Sequence, residues 1–566
     1  MMVTSSARLL VSPRPYLIEE YTQSVCPHCF AQRPRRSDES DVWCDAMLVS
    51  HDDAVWMRRF CPTHGESESL YEEDLTIWRA RSGWSTPTSP VTPDRADNFG
   101  SFPHNYAQGL PASHGQHSCI LVLNVTPRCN LSCPTCYAGA APPGTPKPVK
   151  ERPTPDELEA TVETIIERKG GELGVLMLSG GEPSVRDDLQ TLIERALEHN
   201  VTRVLVNTNG RRIARDDRFV EFLRAHRDRI EIYLQFDGVS AQSNIFHRGE
   251  DLREEKRRAL DRLERAGVWS TLVMTVARGV NENEVGDVLK FGLSKPLVSG
   301  LAIQPAFGSG RSAGFDPQNR VTPTGVLRRI GAQTNGLISA DDFLPLPCSH
   351  KDCCDISYLL RTKKNEWQPL PRLIGKDNLK QWIHLVSNTI SFENVSQSVA
   401  EMLRSGALGR VWSDSGRVPA FKLAADISRM CGCVAGLPEL LGLLWDEEKS
   451  LEQLAQRTFR VTVKQFMDAH TLHAPRLRQC CVHTGTFEDD PRRYSFCWRF
   501  LFDDATDFGP RPQSNVITLE ALVSRSERTT ATDEVVPPTT PGALSMGELT
   551  GLDVAGSNII SMETLR

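Results

Sequence analysis

Apolar and polar positions between residues 119 and 315 alternate in a way that predicts repeated strand–helix units. Short apolar runs with the length of buried strands are separated by segments whose apolar residues recur every three or four positions, as in amphipathic helices. Thr154-Pro155-Asp156-Glu157 has the cap, first-turn proline and early acids of a helix start. The predicted strands are 120–125, 174–178, 203–207, 230–236, 270–276 and 300–305, and the predicted helices are 154–169, 186–199, 217–226, 252–266 and 283–293.

Six such units in succession predict an α/β fold, in which a parallel sheet curls into a partial (β/α)6 barrel. Parallel barrels bind ligands at the carboxyl ends of their strands. Asn207, Gln235 and Asp237 stand at these ends and are candidate binding residues; a simple role in capping the strands is the alternative.

Three closely spaced cysteines follow the first predicted strand, in a C-x3-C-x2-C loop formed by Cys129, Cys133 and Cys136. A cubane iron–sulfur cluster normally takes four thiolates, so three on one loop indicate a cluster with one iron open to another ligand. A structural zinc or a closed ferredoxin-type cluster is the alternative. Zinc sites usually comprise two separated pairs, however, and no fourth cysteine follows at ferredoxin spacing.

The second predicted strand runs into Ser179-Gly180-Gly181-Glu182-Pro183. Paired glycines let the backbone approach a ligand closely, and Glu182 offers an acceptor for an ammonium group. Together with the cysteine loop, this turn resembles the radical SAM superfamily over about residues 118 to 310.

The resemblance implies that the three loop cysteines carry a catalytic 4Fe–4S cluster whose open iron chelates S-adenosylmethionine. Thr135 departs from it, because the superfamily often has a bulky residue before the third cysteine; Tyr137 is expected to cover the adenine instead. The residues expected to contact the cofactor are Tyr137, Gly180, Gly181, Glu182, Pro183, Asn207, Gln235 and Asp237.

A separate metal site is predicted near the amino terminus. Cys26-Pro27-His28-Cys29 and Cys61-Pro62-Thr63-His64-Gly65 are two knuckles that make a tetrahedral site from Cys26, Cys29, Cys61 and His64. Zinc is the default metal for such a donor set, and a rubredoxin-like iron is the alternative. His28 and Cys44 are spare candidates that we interpret as a surface histidine and a loop thiol.

The carboxyl-terminal half holds eight further cysteines in small groups, which predicts one or two auxiliary iron–sulfur clusters of four thiolates each. Two adjacent cysteines rarely both bind the same cluster, so one member of each doublet is expected to be structural. The alternative is that several of these cysteines are simply buried thiols. The candidates are Cys348, Cys353, Cys354, Cys431, Cys433, Cys480, Cys481 and Cys497.

Composition sets the remaining bounds. The net charge of −7 and the pI of about 6.1 do not show the excess of basic residues that is typical of nucleic-acid-binding proteins. No apolar stretch reaches the 18 residues of a membrane span, so we expect a cytoplasmic protein or one bound peripherally at the membrane. Sixteen cysteines in a reducing compartment indicate metal or redox chemistry.

The predicted organisation has five parts. Residues 1–82 form a rubredoxin-like metal-binding module, 83–118 a linker, 119–315 the core barrel, 316–505 an auxiliary iron–sulfur domain, and 506–566 a disordered tail with at most one short helix near 518–523.

Taken together, the motifs of the chain resemble those of the tetraether lipid synthase family, also described as class D radical SAM methylases. The matching segments are the two amino-terminal knuckles, the cysteine loop, Pro345-Leu346-Pro347-Cys348-Ser349-His350, and Phe466-Met467-Asp468-Ala469 leading to Cys480-Cys481-Val482-His483. The resemblance implies a 5′-deoxyadenosyl radical, a flavodoxin- or ferredoxin-type electron donor, and carbon–carbon bond formation at alkyl carbons of a lipid. The spacer Asp352-Cys353-Cys354 departs from the family pattern, so the resemblance does not establish that the substrate is the family's.

Three alternatives stay open. A radical methyltransferase acting on a small molecule or natural product would use the same core, whereas a peptide-modifying maturase is less favoured because its cysteine pattern is not apparent. An electron-transfer or scaffold protein with a degenerate core is the non-enzymatic alternative. The apolar segment 434–445 would suit a lipid-facing wall, or simply the core.

Overall fold

The computed structural model describes residues 15–33, 42–84, 91–96, 98, 100–146, 153–312, 315–362, 365–376 and 457–502, and the account below concerns these residues. Cys431, Cys433, the segment 434–445 and the predicted tail lie outside them.

The amino-terminal module is a four-stranded antiparallel sheet in the order β1-β2-β3-β4. Its apolar face packs on the second of two short helices through Leu48, Met57, Tyr71 and Trp78. The module docks on the rest of the protein through Glu73, which forms ion pairs with Arg278 and Arg329. The elements are β1 (Leu17–Val25), α1 (Pro27–Gln32), β2 (Trp43–His51), β3 (Ala54–Cys61), β4 (Gly65–Glu72) and α2 (Leu75–Arg79).

All six strands predicted for the barrel are present, and each is hydrogen-bonded in parallel to the next. Their outward side chains form one large apolar core with the covering helices. Thr154 caps the first of these helices and forms a capping box with Glu157. The strands are β5 (Ile120–Thr126), β6 (Leu173–Gly180), β7 (Val201–Thr208), β8 (Ile230–Gln235), β9 (Ser270–Val276) and β10 (Val298–Pro305).

The helices between and after these strands cover the outside of the sheet. The predicted helix 186–199 is shorter than expected, because a 3-10 turn at Pro183–Val185 and an extended Arg186 precede it. The helices are α3 (Pro155–Lys169), α4 (Leu189–Leu197), α5 (Arg211–Arg215), α6 (Asp217–Ala225), α7 (Ala241–Arg248), α8 (Arg253–Ala266), α9 (Val285–Leu293) and α10 (Pro323–Gln333).

Strands from the carboxyl-terminal region extend the barrel sheet at both edges, which the six-unit prediction did not include. In the sheet order β11-β12-β14-β10-β9-β8-β7-β6-β5-β15-β16, β14 is parallel to β10 and β15 is parallel to β5. The added elements are β11 (Leu344–Pro345), β12 (Cys354–Arg361), β13 (Trp367–Pro369), α11 (Leu370–Ile374), β14 (Thr458–Lys464), α12 (Ala474–Arg478), β15 (Val482–Gly485), β16 (Arg493–Ser495) and α13 (Phe496–Phe502).

Side chains on the inner face of the sheet change character along the strands. Near the amino ends they are ionic and buried, as in Glu231 and Arg460. A middle layer of buried side chains, including Leu205, Val273 and Ala302, separates them from the carboxyl ends. The inner side chains at the carboxyl ends are polar and partly exposed, so the barrel opens to solvent there: Asn207, Gln235, Thr275, Gln304 and Lys464.

Candidate active site and metal centres

The cysteine loop lies over the carboxyl ends of β5 and β6 and is held there by backbone contacts. Gly181 N–H donates to Thr126 O (2.7 Å), and Glu182 N–H donates to Arg128 O (2.9 Å). A Cβ atom on Gly180 would stand 2.3 Å from Thr126 O, and one on Gly181 would stand 2.2 Å from Arg128 O. The glycine pair is therefore required by the loop backbone itself, whereas the sequence had suggested close approach to a ligand.

A second segment, directly after β10, holds the loop from the other side. Arg311 donates from its backbone N–H to Cys136 O (2.9 Å) and from its side chain to Cys133 O (2.8 Å) and Ala140 O (2.7 Å). A Cβ atom on Gly310 would stand 2.4 Å from Tyr137 O. Sequence inspection missed both residues, because no local motif marks them.

The three loop thiols form a half-buried apolar group with Leu131 and Leu252. Burial raises the pKa of Cys129 to about 12, so a bare thiolate there would be costly without a cation. Their sulfur atoms are not all within 4.8 Å of one another, whereas the ligand atoms of three other donor groups in the described chain are. That spread fits a cluster, in which each thiolate binds a different iron, better than a single ion.

Glu182 is buried and accepts four hydrogen bonds from its surroundings. Oε1 accepts from the Ser184 backbone and hydroxyl (3.1 and 2.6 Å) and from Thr208 Oγ1 (2.7 Å), and Oε2 accepts from Asn209 N–H (2.7 Å). Burial raises its pKa despite these donors. Only Oε2, with its single partner, retains clear capacity for the ammonium group expected from the sequence.

A chain of polar side chains crosses the carboxyl ends of β6, β7 and β8. Asn207 donates to Ser179 Oγ (3.0 Å) and accepts from Gln235 Nε2 (2.7 Å), and Gln235 in turn accepts from Arg248 (2.8 Å). These neutral groups are held in fixed orientations at the open end of the barrel. Asn207 and Gln235 therefore lie together where the sequence predicted a bound ligand.

Asp237, the third strand-end candidate, is fully buried in an ion pair. Its carboxylate accepts two hydrogen bonds from Arg248 (2.6 and 2.8 Å) and lies 3.6 Å from the Lys256 ammonium. Although burial opposes ionisation, Arg248 and Lys256 hold its pKa well below the usual range. Arg248 is the member of this ion pair that reaches the cysteine loop, where it interacts with the Cys133 thiol.

The two residues that flank Cys136 have different surroundings. Thr135 shares a hydrogen bond with His247 Nδ1 (3.0 Å), a ring buried beneath the loop. Tyr137 packs against Phe307 and Phe500, with ring centroids 5.5 and 5.2 Å away. Thr135 thus anchors the loop, and Tyr137 forms part of the wall of the open end.

The four amino-terminal donors converge as predicted. Cys29 Sγ lies 3.2 Å from His64 Nδ1 and 3.7 Å from Cys61 Sγ, and Cys26 Sγ lies 3.6 Å from His64 Nδ1. Ligands of a tetrahedral zinc with bonds of about 2.0–2.3 Å are about 3.5 Å or slightly more apart, so the donor set fits the ion. Cys44 is buried beside the site but does not belong to this group, and His28 stacks near His64.

The carboxyl-terminal cysteines divide into two groups. Cys348 and Cys481 lie with their sulfur atoms 3.6 Å apart, and the sulfur of Cys119 joins them within 4.8 Å. Cys119 was missed because it stands alone in the sequence; the parallel pairing of β15 with β5 brings it beside Cys481, whose carbonyl accepts its N–H (2.9 Å).

The second group contains Cys353, Cys480 and Cys497. Burial, followed by the Cys353 thiol, raises the pKa of Cys480 to about 11, and burial with the neighbouring Cys480 raises that of Cys497 to about 12. Arg476 donates to Cys353 Sγ (3.4 Å). Cys480 and Cys481 therefore lie in different groups of thiols, and the expectation that one of them is structural stays a prediction. Cys354 points into the barrel opposite Lys464.

Comparison with known proteins identifies the core. Residues 123–292 match the radical SAM superfamily, and residues 18–73 match a domain described as the HMPTM N-terminal zinc ribbon. The protein is a radical SAM enzyme. The radical SAM domain implies a 4Fe–4S cluster and S-adenosylmethionine, and the zinc ribbon implies a further metal site, for which zinc is now the favoured metal of the two left open above. The non-enzymatic alternative is thereby set aside.

Curated relatives share different extents of the chain. A 7,8-dihydro-6-hydroxymethylpterin dimethyltransferase of Methanocaldococcus jannaschii is 25% identical over 85% of this chain and 93% of its own length. The mycofactocin maturase MftC of Mycolicibacterium smegmatis is 26% identical, but over 40% of this chain and 55% of its own. Among solved structures, Streptococcus suis SuiB bound to S-adenosylmethionine matches with a TM-score of 0.29 and 14% identity, over 33% of this chain and 41% of SuiB.

None of the helices in the described ranges combines the length and the apolar character needed to cross a bilayer.

Proposed function

We propose that the protein is a radical SAM methyltransferase that acts on a small planar heterocycle of the reduced-pterin class. One observation carries the proposal: the likeness to the pterin dimethyltransferase extends over 85% of this chain, and so beyond the barrel shared with other radical SAM enzymes. The relatives that act on other substrates match 30 to 40% of the chain.

The residues at the open end of the barrel suit this chemistry. Cys129, Cys133 and Cys136 would hold the cluster, and Arg311 with the glycine pair keeps their loop in place. Oε2 of Glu182, the amides of Asn207 and Gln235, and Arg248 would orient the amino-acid and ribose parts of S-adenosylmethionine. When bound, the cluster and S-adenosylmethionine supply one-electron chemistry at carbons that no acid or base could activate.

The chain's own contribution is to position the substrate and exclude water. Tyr137, Phe307, Phe466, Phe496 and Phe500 form a continuous group of rings beside the cysteine loop, which we call the aromatic wall. A wall of this kind favours a flat ring, which packs against aromatic faces and edges. It also keeps one side of the opening dry.

Carbon–carbon bond formation on a lipid alkyl chain is the second candidate. The segments Pro345–His350, Phe466–Ala469 and Cys480–His483 support it, because they resemble the tetraether lipid synthase pattern, and the first and third approach each other through Cys348 and Cys481. We propose a flavodoxin- or ferredoxin-type protein as the electron donor in either case.

A direct assay separates the two candidates. Anaerobically reconstituted protein, a reductant and S-adenosylmethionine are incubated with 7,8-dihydro-6-hydroxymethylpterin and a one-carbon donor, which is either a second S-adenosylmethionine or a methylene-carrying reduced pterin, and mass spectrometry follows 5′-deoxyadenosine and methylated pterin. The proposal expects both products. Formation of 5′-deoxyadenosine without methylated pterin, together with loss of coupled long-chain lipids in cells that lack the gene, would favour the lipid reaction instead.

A further inference from the structure

The ionic side chains inside the barrel differ in how their charges are balanced. Near the amino ends, Arg460 donates to Thr271 (3.2 Å) and lies 3.9 Å from the Glu231 carboxylate, which also accepts from Thr271 and Ser299 (2.5 and 2.9 Å). These charges form a closed network that leaves nothing for a ligand.

Lys464, at the carboxyl end of β14, has no such balance. Its ammonium donates to the Tyr233 hydroxyl (3.2 Å) and lies 5.5 Å from the centre of that ring. Among the residues that the structure describes, no carboxylate lies within 4.0 Å of it, and at least one of its three N–H donors lacks a partner. An ammonium in this state, on an inward-facing position, is an open site for an acceptor.

Lys464 lies at the same carboxyl-end rim of the barrel as the strand end that carries the cysteine loop. Five strands separate β14 from β5 in the sheet, and Lys464 is the cation among the partly exposed residues of the rim, whose other members are amides and a hydroxyl. Two residues further along, Phe466 joins the aromatic wall. Its ring centroid is 4.4 Å from Phe496 and 5.5 Å from Phe307, both of which contact Tyr137 beside Cys136.

We propose that Lys464 and the exposed edge of the aromatic wall form the substrate-binding site, in which the ammonium donates to a ring carbonyl or other acceptor of a planar heterocycle. This inference rests on the proposed function and specifies which side of the opening takes the substrate. The Tyr233 hydroxyl, which accepts from Lys464, positions the ammonium. Tyr137 and Phe466 are the members of the wall that remain partly exposed and would contact the ring.

The expected contribution of Lys464 follows from the chemistry of the contact. A variant that cannot form this charge-assisted hydrogen bond to the substrate should bind it about ten- to a hundredfold more weakly. The loss should appear in substrate binding and in KM, since the proposed contact is with the substrate itself.

Equilibrium binding tests the site without turnover. The quenching of 7,8-dihydro-6-hydroxymethylpterin fluorescence is titrated with reconstituted, unreduced holoprotein of the wild type, K464M and K464R. K464M should bind about ten- to a hundredfold more weakly, and K464R should recover most of the affinity. K295M is the matched control, because Lys295 pairs with Asp261 at the amino-terminal end of the barrel (2.9 Å). It should bind like the wild type.

The outcomes separate this inference from the proposed function. If K464M binds the pterin as tightly as the wild type, the role of Lys464 alone is overturned. Wild-type protein that binds no pterin would overturn both. Binding that depends on Lys464 without methylation in the turnover assay would overturn the methyltransferase proposal and keep the site. Iron content and thermal unfolding equal to wild type show that the variants are folded.

Discussion

The zinc-ribbon site and the cysteine loop hold their thiols in opposite ways. In the ribbon, four donors from two knuckles converge within 4.8 Å, as one tetrahedral ion requires. In the loop, three thiols are spread further apart, and the backbone is clamped between Gly181 on one side and Arg311 on the other. The ribbon offers four donors to one metal ion, whereas the loop offers three thiols on a backbone held from both sides, which suits the proposed cluster with one coordination position open.

This difference predicts where stability and chemistry reside. A closed site contributes its binding free energy to folding, because the assembled donor set does not exist in the unfolded chain. An open site depends on accurate placement of its ligands, so small changes in the supporting backbone should affect the reaction more than the fold. The variants below test this division.

Replacement of Cys133 with alanine should have the largest effect. The loop would then offer two thiols, too few to retain a cluster. We expect the cluster iron to be lost and 5′-deoxyadenosine formation to fall below detection, while the ribbon metal stays. Metal analysis and the cleavage assay check this, and a Cys133→Ala protein that still cleaves S-adenosylmethionine would show that the loop is not the catalytic site.

Replacement of Gly181 with alanine should come next. Its Cβ atom would meet Arg128 O at 2.2 Å and Pro127 O at 2.8 Å, so the loop has to shift. A displacement of about 1 Å at a reacting centre costs about a hundredfold in rate. The cleavage rate per cluster should fall by about that factor, with iron content little changed.

Gly331→Ala is the matched control for Gly181→Ala. Gly331 lies within α10, and a Cβ atom there would have no neighbour closer than 3.7 Å. Alanine should stabilise this helix by about 0.5–1 kcal/mol and leave cleavage unchanged. Equal losses of cleavage in the two variants would mean that the contacts of Gly181 with the loop are irrelevant.

How far the sequence could predict these features depends on the distance between the residues involved. The six barrel strands and the cap at Thr154 follow local patterns, and all of them are present. β14 and β15 were not anticipated, because their place in the sheet is set by pairing with strands more than a hundred residues away. Cys119, Gly310 and Arg311 were missed for the same reason: each acquires its role from a partner remote in the sequence.

The partners of the charged residues in the candidate site were also not predictable from the local sequence. Asp237 was selected as a strand-end carboxylate, and nothing local indicated that Arg248 would occupy both of its oxygen atoms. Likewise, Lys464 ends a strand that had not been predicted, so its place on the rim of the barrel became visible only in the sheet.

Replacement of Cys29 with alanine should separate the ribbon from the chemistry. Loss of one of four donors should release one metal per chain and lower the free energy of unfolding by several kcal/mol, because the binding free energy of a structural metal contributes to folding. Cleavage of S-adenosylmethionine per remaining cluster should change little. Thermal unfolding, metal analysis and the cleavage assay on the same sample check this. A parallel loss of cleavage at full cluster occupancy would indicate that the ribbon takes part in the reaction.

The smallest effect concerns the histidine beneath the cysteine loop. Burial lowers the pKa of His247 to about 4, against an ordinary value of 6.5, so the folded protein keeps this ring neutral. Its contribution to stability is therefore present above about pH 6.5 and is lost as the pH falls toward 4, with a slope of at most about 1.4 kcal/mol per pH unit.

His247→Gln, which stays neutral, should make the acid-side decline of the unfolding free energy shallower by up to that amount. His199→Gln, on the partly exposed surface beside Glu159, should leave the decline unchanged. Urea unfolding under anaerobic conditions between pH 7 and 4.5 measures both, and identical slopes in the wild type and His247→Gln would mean that the ring under the loop is not kept neutral by burial.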